Sequence, residues 1–453
     1  MFSKLLIANR GEIAVRIIRA CKEMGISTVA VFSTADRDAL HVSMADESYC
    51  IGGPTVGESY LNLSAILSAA IVSGAQAIHP GYGLLSENPR FAQLCAQCGI
   101  AFIGPSAEVM RRMGDKDEAR RTMIAAGVPV IPGCDVVETL EKARAEAEKL
   151  GFPLLIKARS GGGGRGIRLV NSMGEFDNAW QTASSEAASA FGDGAVYLER
   201  FLSPVKHIEM QLIADQQGNV VCLGERECSM QRKNQKLLEE SPSPVITPEQ
   251  RAEMIRVSTA AAKAVGYENA GTIEFLYDKE GNFYFMEMNT RLQVEHPVTE
   301  METGVDLVKW QIRVAAGMPL GFTQEDIQLQ GHTIECRINA EDPAHGFRPC
   351  CGTVSFLTFP GGPGVRFDTA LYQGYAIPPF YDSMMGKLIV HGKDREEAIR
   401  KMQVALGDLV IQGVTHNSAL QMDILCDPEF RDGSYRTNFM TKAKWQSGSS
   451  GEH

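Results

Sequence analysis

The chain predicts an α/β protein of three parts, and three observations carry that prediction. Strand and helix patterns alternate over the first hundred or so residues. A glycine run then interrupts a strand pattern near residue 160. From about residue 331 the texture turns β-rich, with many glycines and prolines. At 453 residues the chain has room for about three domains.

In the first part, residues 4–8 and 27–32 read as short apolar strands. Between them Ile13, Ile17, Cys21 and Met24 recur at helical spacing, and Gly25 marks the C-terminal cap. Residues 75–78 and 100–103 complete a small parallel unit. Its first turn is Asn9-Arg10-Gly11-Glu12, not G-x-G-x-x-G, so the dinucleotide fingerprint is absent. Loops at the strand ends of such a sheet carry function. His79-Pro80-Gly81-Tyr82-Gly83 is the candidate, with a structural turn as the alternative. Cys95 and Cys98, three apart in an apparent helix with no second pair following, read as a core-facing stripe rather than a zinc site.

The second part starts near Asp115. Gly127, Pro129 and Pro132 break its first helix, and residues 138–150 form a charged amphipathic one. A strand over 153–156 runs into Lys157-Ala158-Arg159-Ser160-Gly161-Gly162-Gly163-Gly164-Arg165-Gly166, and a strand resumes over 167–170. Strand, glycine loop, strand makes a hairpin flap rather than a strand-to-helix phosphate loop, and G-x-x-x-x-G-K-[ST] is missing. Five glycines in the six positions 161–166 free the backbone to approach a ligand. Backbone N–H groups flanked by Lys157 and Arg165 suit a polyphosphate; a flexible linker is the plainer alternative.

Strands are expected at 195–201, 206–214 and 219–225. The basic cluster at 231–236, just before Glu239 and Glu240, reads as a solvated loop when taken alone. Thr247-Pro248-Glu249-Gln250 fits a capping box with proline at the first helical position, opening a helix to about Gly266. An antiparallel hairpin follows, with strands 270–277 and 283–289 and a reversal at 278–282. Alternation points Glu274 opposite Ile273 and Phe275, and puts Phe283, Phe285, Glu287 and Asn289 on one face. Cross-strand neighbours sit roughly 5 Å apart, so Glu274 and Glu287 are placed to share a cation. A hard cation held by few carboxylates matches Mg²⁺ that also carries phosphate.

In the third part, residues 332–339 form a strand with Glu335, Arg337 and Asn339 on one face and Ile334, Cys336 and Ile338 on the other. Gly362-Pro363-Gly364 and Pro378-Pro379 are turns, a helix runs from 395 to about 409, and the tail over 447–453 reads as disordered.

Composition narrows the function. A net charge of −11 argues against nucleic acid as the main partner, so local basic clusters serve something small and anionic. No run of eighteen apolar residues is present, and the N-terminal apolar run is too short for a signal peptide, which predicts a cytoplasmic protein without a membrane span. Eleven cysteines fit free thiols in a reducing compartment. The glycine flap, the lysines at 116, 157 and 236, the paired glutamates and the Arg291/Gln293/Glu295 group together suit Mg-ATP plus a small anionic acceptor. Lysines and Mg²⁺ neutralise phosphate charge, Arg291 and Lys236 grip an oxyanion, and Glu295 is placed to accept a proton.

Six stretches carry a resemblance to a known family. They are Ile7-Ala8-Asn9-Arg10-Gly11-Glu12-Ile13-Ala14, His79-Pro80-Gly81-Tyr82-Gly83, the glycine flap, residues 231–236, Tyr381-Asp382-Ser383-Met384, and the string from Glu287 to Glu300. Over residues 2–445 the chain resembles biotin carboxylase, the ATP-grasp component of acetyl-CoA carboxylase and related biotin enzymes. The resemblance implies an N-terminal α/β domain at 1–113, an ATP-grasp domain at 114–330 with a lid at about 131–202, and a C-terminal domain at 331–446. It implies that ATP phosphorylates bicarbonate to carboxyphosphate, which releases CO₂ beside N1′ of biotin.

By matching positions, Lys116, Lys157, the flap residues Gly162, Gly163, Gly164, Arg165 and Gly166, and Glu199, His207, Gln231, Asn234 and Lys236 serve the nucleotide. Glu274 and Glu287, with Asn289 beside them, take two Mg²⁺ or Mn²⁺ ions. Lys236, Arg291, Gln293 and the backbone of Val294 hold bicarbonate, and Glu295 is its base. Arg337 stabilises the biotin enolate and Tyr82 lines the biotin pocket; these two come from the resemblance alone. Asn234 stands where the family most often has histidine, and Arg159 and Ser160 replace a small residue and a glycine, so nucleotide affinity is expected to differ at most. The sequence holds no Ala-Met-Lys-Met biotin attachment sequence. The implied partners are therefore a separate biotinylated carrier and carboxyltransferase subunits, with a homodimer as the assembly. Two other readings stand beside this one: an ATP-grasp ligase acting on another carboxylate, and a nucleotide sensor without turnover. The Arg291/Gln293/Glu295 group with Arg337 discriminates against the first, and intact Glu274, Glu287, Arg291 and Glu295 against the second.

Overall fold

The computed structural model describes residues 1–159 and 166–446. The candidates Gly162, Gly163, Gly164 and Arg165, the substituted Ser160, and the tail at 447–453 lie outside the described residues.

The first sheet is parallel and five-stranded, in the order Glu47–Gly52, Ser27–Ser33, Lys4–Ile7, Ala77–His79, Ala101–Phe102. Its faces follow from alternation. Leu5 and Ile7 pack with Ile13, Ile17 and Cys21 of the helix Gly11–Glu23, while Leu6 and Ala8 pack with Ile66 and Ala70 of Leu63–Ser73 and Phe91 of Pro89–Gln97. The sequence reading had missed the edge strand Glu47–Gly52, where exposed and half-buried residues alternate and leave a weak apolar signal. Cys95 is in the core, but Cys98 caps the helix end and is exposed, so the two do not form one stripe.

The flap belongs to a separate three-stranded antiparallel sheet, ordered Ile167–Val170, Leu154–Ala158, Val196–Arg200. The strands on either side of the glycine run pair with each other, Leu154 opposite Val170 and Lys157 opposite Ile167, as the hairpin reading requires. Helices Leu140–Leu150 and Met173–Phe191 cover it, and Ala143, Leu154, Ile156, Phe176 and Leu198 make its own small core.

The rest is built on one eight-stranded antiparallel sheet. Its order is Phe283–Asn289, Asn269–Tyr277, Lys206–Ala214, Val220–Arg232, Gln235–Ser241, His332–Asn339, Met384–Gly392, Val365–Thr369. Strands of the second and third parts of the sequence are thus joined edge to edge, with Leu238 opposite Cys336. The helix Pro248–Val265 packs beneath the middle strands; its capping box forms as expected and Gly266 ends it in the left-handed conformation. Helices Arg395–Asp408 and Ser418–Cys426 cover the far end.

Two local expectations are corrected. The strand expected to stop at 225 runs on to Arg232, and residues 231–236 are the tip of a hairpin, not a free loop. Buried Glu225, Arg226 and Glu227 hid that strand, because each has partners that the local sequence does not display: Arg251 meets Glu225 at 2.6 Å and Glu209 meets Arg226 at 2.6 Å. In the acidic hairpin, pairing shifts between Glu274 and Phe275, so that Glu274 faces Glu287 while Phe275 faces Phe285. The extra residue is a β-bulge that turns Phe285 into the core beside Phe275 and leaves Glu287 on the opposite face. Phe285 and Glu287 therefore do not share a face. Among the described residues, no helix is long and apolar enough to cross a membrane.

Candidate active site

Four charged side chains stand in a row across the first four strands of the large sheet, from its edge inward. Register places Glu287 opposite Glu274, Glu274 opposite Glu209, and Glu209 opposite Arg226. Strand alternation gives each the same face. Arg226 is wholly buried and donates to Glu209 Oε1 at 2.6 Å, Gln211 Oε1 at 2.6 Å, Thr299 Oγ1 at 3.0 Å and Thr272 Oγ1 at 3.1 Å. It is a fixed cation at the closed end of the row, while Glu287 stands open at the other.

Lys236, from the hairpin tip, reaches over this row. Its Nζ lies 2.7 Å from Glu209, 3.2 Å from Glu274 and 2.5 Å from Glu295. Burial pulls the ammonium down, but the three carboxylates hold it well above its ordinary value. Burial pushes the Glu209 carboxyl up, and Arg226 and Lys236 outweigh it, leaving it at about 2. Glu274 behaves alike: against burial, Lys236 and His207 hold it well below the carboxylate range, with His207 Nε2 at 3.0 Å. Glu287 goes the other way, raised by burial and then by the like charge of Glu274. A site that crowds two carboxylates and leaves one of them uncompensated is chemically matched to a hard cation, so the donor set fits Mg²⁺. Asn289 sits between, donating from Nδ2 to Glu274 at 2.9 Å and accepting from Arg291 at 3.1 Å.

The loop after the hairpin carries the anion-binding candidates. Arg291 donates to Gln293 Oε1 at 2.8 Å and pairs with Glu87 at 2.8 Å, and Gln293 donates to Glu274 at 3.1 Å. Glu295 is buried with both oxygens engaged: Oε1 by Lys236, Oε2 by Arg337 Nη2 at 2.8 Å. Burial and Glu209 push its carboxyl up, and Lys236, Arg337 and Arg226 together bring it below its ordinary value, so it stands ionised at neutral pH. Arg337 in turn is held by Glu239, Nε to Oε1 at 2.7 Å. Tyr82 donates its hydroxyl to buried Glu12.

On the opposite wall Lys157 pairs with Glu199, and Lys116 is pulled below its ordinary value by burial and by the neighbouring Lys157. Lys233 and Asn234 form the hairpin turn with φ of +49° and +64°, a conformation asparagine tolerates well. Gly166 closes the described end of the flap, its carbonyl accepting from Ala158 N–H at 2.8 Å. Arg159 pairs with Asp193 at 2.8 Å and is not among the described residues that line the cleft.

One cleft of about 1180 Å³ collects these groups. Lys116, Lys157, Glu199, His207, Gln231, Asn234, Lys236, Glu274, Glu287, Asn289, Arg291, Gln293, Val294, Glu295, Arg337 and Tyr82 all line it; of the described candidates only Gly166 does not. Sequence reasoning had missed Glu209, Arg226, Glu87, Glu239, Glu12 and Lys387. For Glu209 a signal existed: His207, Glu209 and Gln211 put a polar residue at every second position of a strand. Glu87 had none, since a fold brings it to Arg291 across 204 positions.

Comparison with known proteins gives three family models in succession. Residues 1–110 match the N-terminal domain of biotin carboxylase, 115–323 the ATP-binding domain of the carbamoyl-phosphate synthase L chain, and 335–442 the C-terminal domain of biotin carboxylase. A curated relative, biotin carboxylase of Nostoc sp., is 55% identical over 440 residues, covering 97% of this chain and 98% of that one. Among solved structures, the biotin carboxylase domain dimer of Hydrogenobacter thermophilus 2-oxoglutarate carboxylase, in complex with ADP, its magnesium salt and bicarbonate, superposes with a TM-score of 0.93 at 50% identity over 100% of both chains. A solved biotin carboxylase component of pyruvate carboxylase superposes with a TM-score of 0.88 at 49% identity, again over 100% of both chains.

Proposed function

The chain belongs to the biotin carboxylase family, the ATP-grasp ligases that carboxylate biotin with bicarbonate and ATP, and on that premise we propose how its residues divide the work. Lys116 and Lys157 neutralise the nucleotide phosphates, Glu199, His207, Gln231 and Asn234 lie along the nucleotide, and Gly162, Gly163, Gly164, Arg165 and Gly166 serve its binding. Glu274 and Glu287, with Asn289 beside them, would hold two divalent cations, which would supply the positive charge that neutralises the phosphate groups.

Lys236, Arg291, Gln293 and the Val294 amide hold bicarbonate, and Glu295 removes its proton. The single observation that supports this most is the placing of Glu295 between Lys236 and Arg337. The base waits ionised because two cations flank it. When Lys236 turns to bicarbonate it loosens its hold on Glu295, whose basicity rises as the proton must move, while Arg337 turns to the biotin enolate in the later step. The deprotonated oxygen, held in line by the anion loop, attacks the γ-phosphate to give carboxyphosphate. Carboxyphosphate breaks down to CO₂ and phosphate; the released phosphate takes the N1′ proton of biotin, and N1′ then bonds the carbon of CO₂ beside Arg337 and Tyr82.

We assign domains at 1–113, 114–330 and 331–446, a homodimeric assembly, and a cytoplasmic setting in keeping with eleven unpaired thiols. In this reading the biotin is carried on a separate protein and a separate carboxyltransferase chooses the final acceptor; similar structures named for pyruvate and 2-oxoglutarate carboxylases support a part shared among enzymes with different acceptors. The test is phosphate release from Mg-ATP with and without bicarbonate and free biotin. Release that needs bicarbonate and rises with biotin, alongside carboxybiotin, is expected; release indifferent to both would overturn the assignment.

A further inference from the structure

We propose that Lys387 is a positioning residue for the anion loop: by fixing the Val294 carbonyl it sets the loop with its amide N–H groups free for bicarbonate. The inference rests on the assignment of the Arg291-to-Glu295 loop to bicarbonate.

Four carbonyls of this loop, from Leu292 to Glu295, are taken. Leu292 O accepts from Arg291 Nη1 at 3.2 Å, Gln293 O from His296 Nδ1 at 2.9 Å, Val294 O from Lys387 Nζ at 2.8 Å, and Glu295 O from Val298 N–H at 3.3 Å. Burial pushes His296 well below its ordinary value, so the ring is neutral and its Nδ1–H is the donor to Gln293. The N–H groups of Gln293, Val294 and Glu295, by contrast, find no acceptor among the described residues. A peptide loop whose oxygens are tied back and whose N–H groups are unpaired is a receptor for an anion.

Of the four carbonyl partners, only Lys387 comes from the far end of the large sheet. It is wholly buried on the strand Met384–Gly392, opposite Arg337 on one neighbour and Asp368 on the other. Its ammonium also pairs with Glu12 Oε1 at 3.0 Å, the same oxygen that receives the Tyr82 hydroxyl, and lies 5.7 Å from the Tyr82 ring centre. One buried cation therefore joins the N-terminal helix, the Tyr82 wall and the anion loop. A buried ammonium is held in place only by good partners, and here one of them is the loop itself.

The experiment measures phosphate release by the full chain with saturating free biotin, varying bicarbonate and Mg-ATP separately. Lys387→Met keeps side-chain length and removes the donor. It is expected to raise KM for bicarbonate at least tenfold and leave KM for ATP within twofold. A rise shared equally by both constants, or a bicarbonate KM within twofold of the parent, overturns the role of Lys387. Arg291→Ala run in parallel separates the two layers: if that variant leaves the bicarbonate KM unchanged, the assignment of the loop itself fails. Should Lys387→Met not fold, Glu12→Gln decides, since it conserves volume and removes the carboxylate that anchors the ammonium. A rise of at least threefold in bicarbonate KM alone supports the inference, and anything less, or an equal rise in both constants, overturns it.

Discussion

Arg337 donates from Nη2 to Oε2 of Glu295 at 2.8 Å while its Nε is held by Glu239 at 2.7 Å, so one guanidinium ties the base of the anion site to the neighbouring strand. The two residues are 42 positions apart and come from different parts of the chain. Their contact means that the proton-transfer step and the biotin step share a charge, and substitutions at the two positions should separate them.

Glu295→Gln removes the proton acceptor and keeps the shape. Bicarbonate-dependent phosphate release is expected to fall by about 10²- to 10⁴-fold, the usual worth of a positioned base. A variant with full activity would rule Glu295 out.

For Arg337→Ala the expected pattern is a split. Carboxybiotin formation is abolished, while bicarbonate-dependent ATP cleavage survives in part, reduced because Glu295 loses one of the cations that keep it ionised. Equal loss of both activities contradicts the assignment to the enolate.

Chelating divalent cations with EDTA should stop ATP cleavage, and Glu287→Gln should raise the Mg²⁺ needed for half-maximal rate at least tenfold. The same substitution removes a like charge directly across from Glu274, so the metal-free protein should be as stable as the parent or more so, by up to about 1 kcal/mol. A thermal melt without metal that shows clear destabilisation would contradict this account of the pair.

A second buried acid gives a pH prediction far from the chemistry. Glu302 is buried with Oε1 unpartnered and Oε2 accepting from Ser241, and burial pushes its carboxyl up to about 8. In the unfolded chain it ionises near pH 4.3, roughly the ordinary glutamate value. Between that value and about 8 the folded chain keeps a proton that the unfolded chain releases, so stability falls as pH rises through the window. Glu302→Gln should raise Tm relative to the parent at the upper end of that window, with the gain shrinking toward zero at its lower end. A gain independent of pH would show that Glu302 is not the group responsible.

Much of the site was legible because strands alternate. Glu274 facing Glu287, the hairpin flap and the face shared by Glu335, Arg337 and Asn339 follow from a period of two and the turn residues between runs. What failed was local: a single extra residue near Met286 reverses every face before it, and nothing in Phe283-Tyr284-Phe285-Met286 announces it. The buried charges at Glu225, Arg226 and Glu227 defeated the pattern for a different reason. They are tolerable only with partners supplied by the strand Lys206–Ala214 and the helix Pro248–Val265, and such compensation is invisible until the chain is folded. Tyr82 and Arg337 came from family resemblance, and Lys387 from neither route.

The eight-stranded sheet has a mechanical consequence. A continuous ladder of backbone hydrogen bonds from Phe283–Asn289 to Val365–Thr369 carries the metal hairpin, the hairpin of Lys236 and the strand of Arg337 on one chassis, whose backbone keeps its spacing while side chains turn to their ligands. The three-stranded sheet carrying Lys157 has a core of its own and, among the described residues, forms no ladder with that chassis. In amide exchange the chain should then divide into two cooperative units, the small one opening at far lower free energy than the large one. Loading a nucleotide can bend the light part without moving the anvil on which the bond is made.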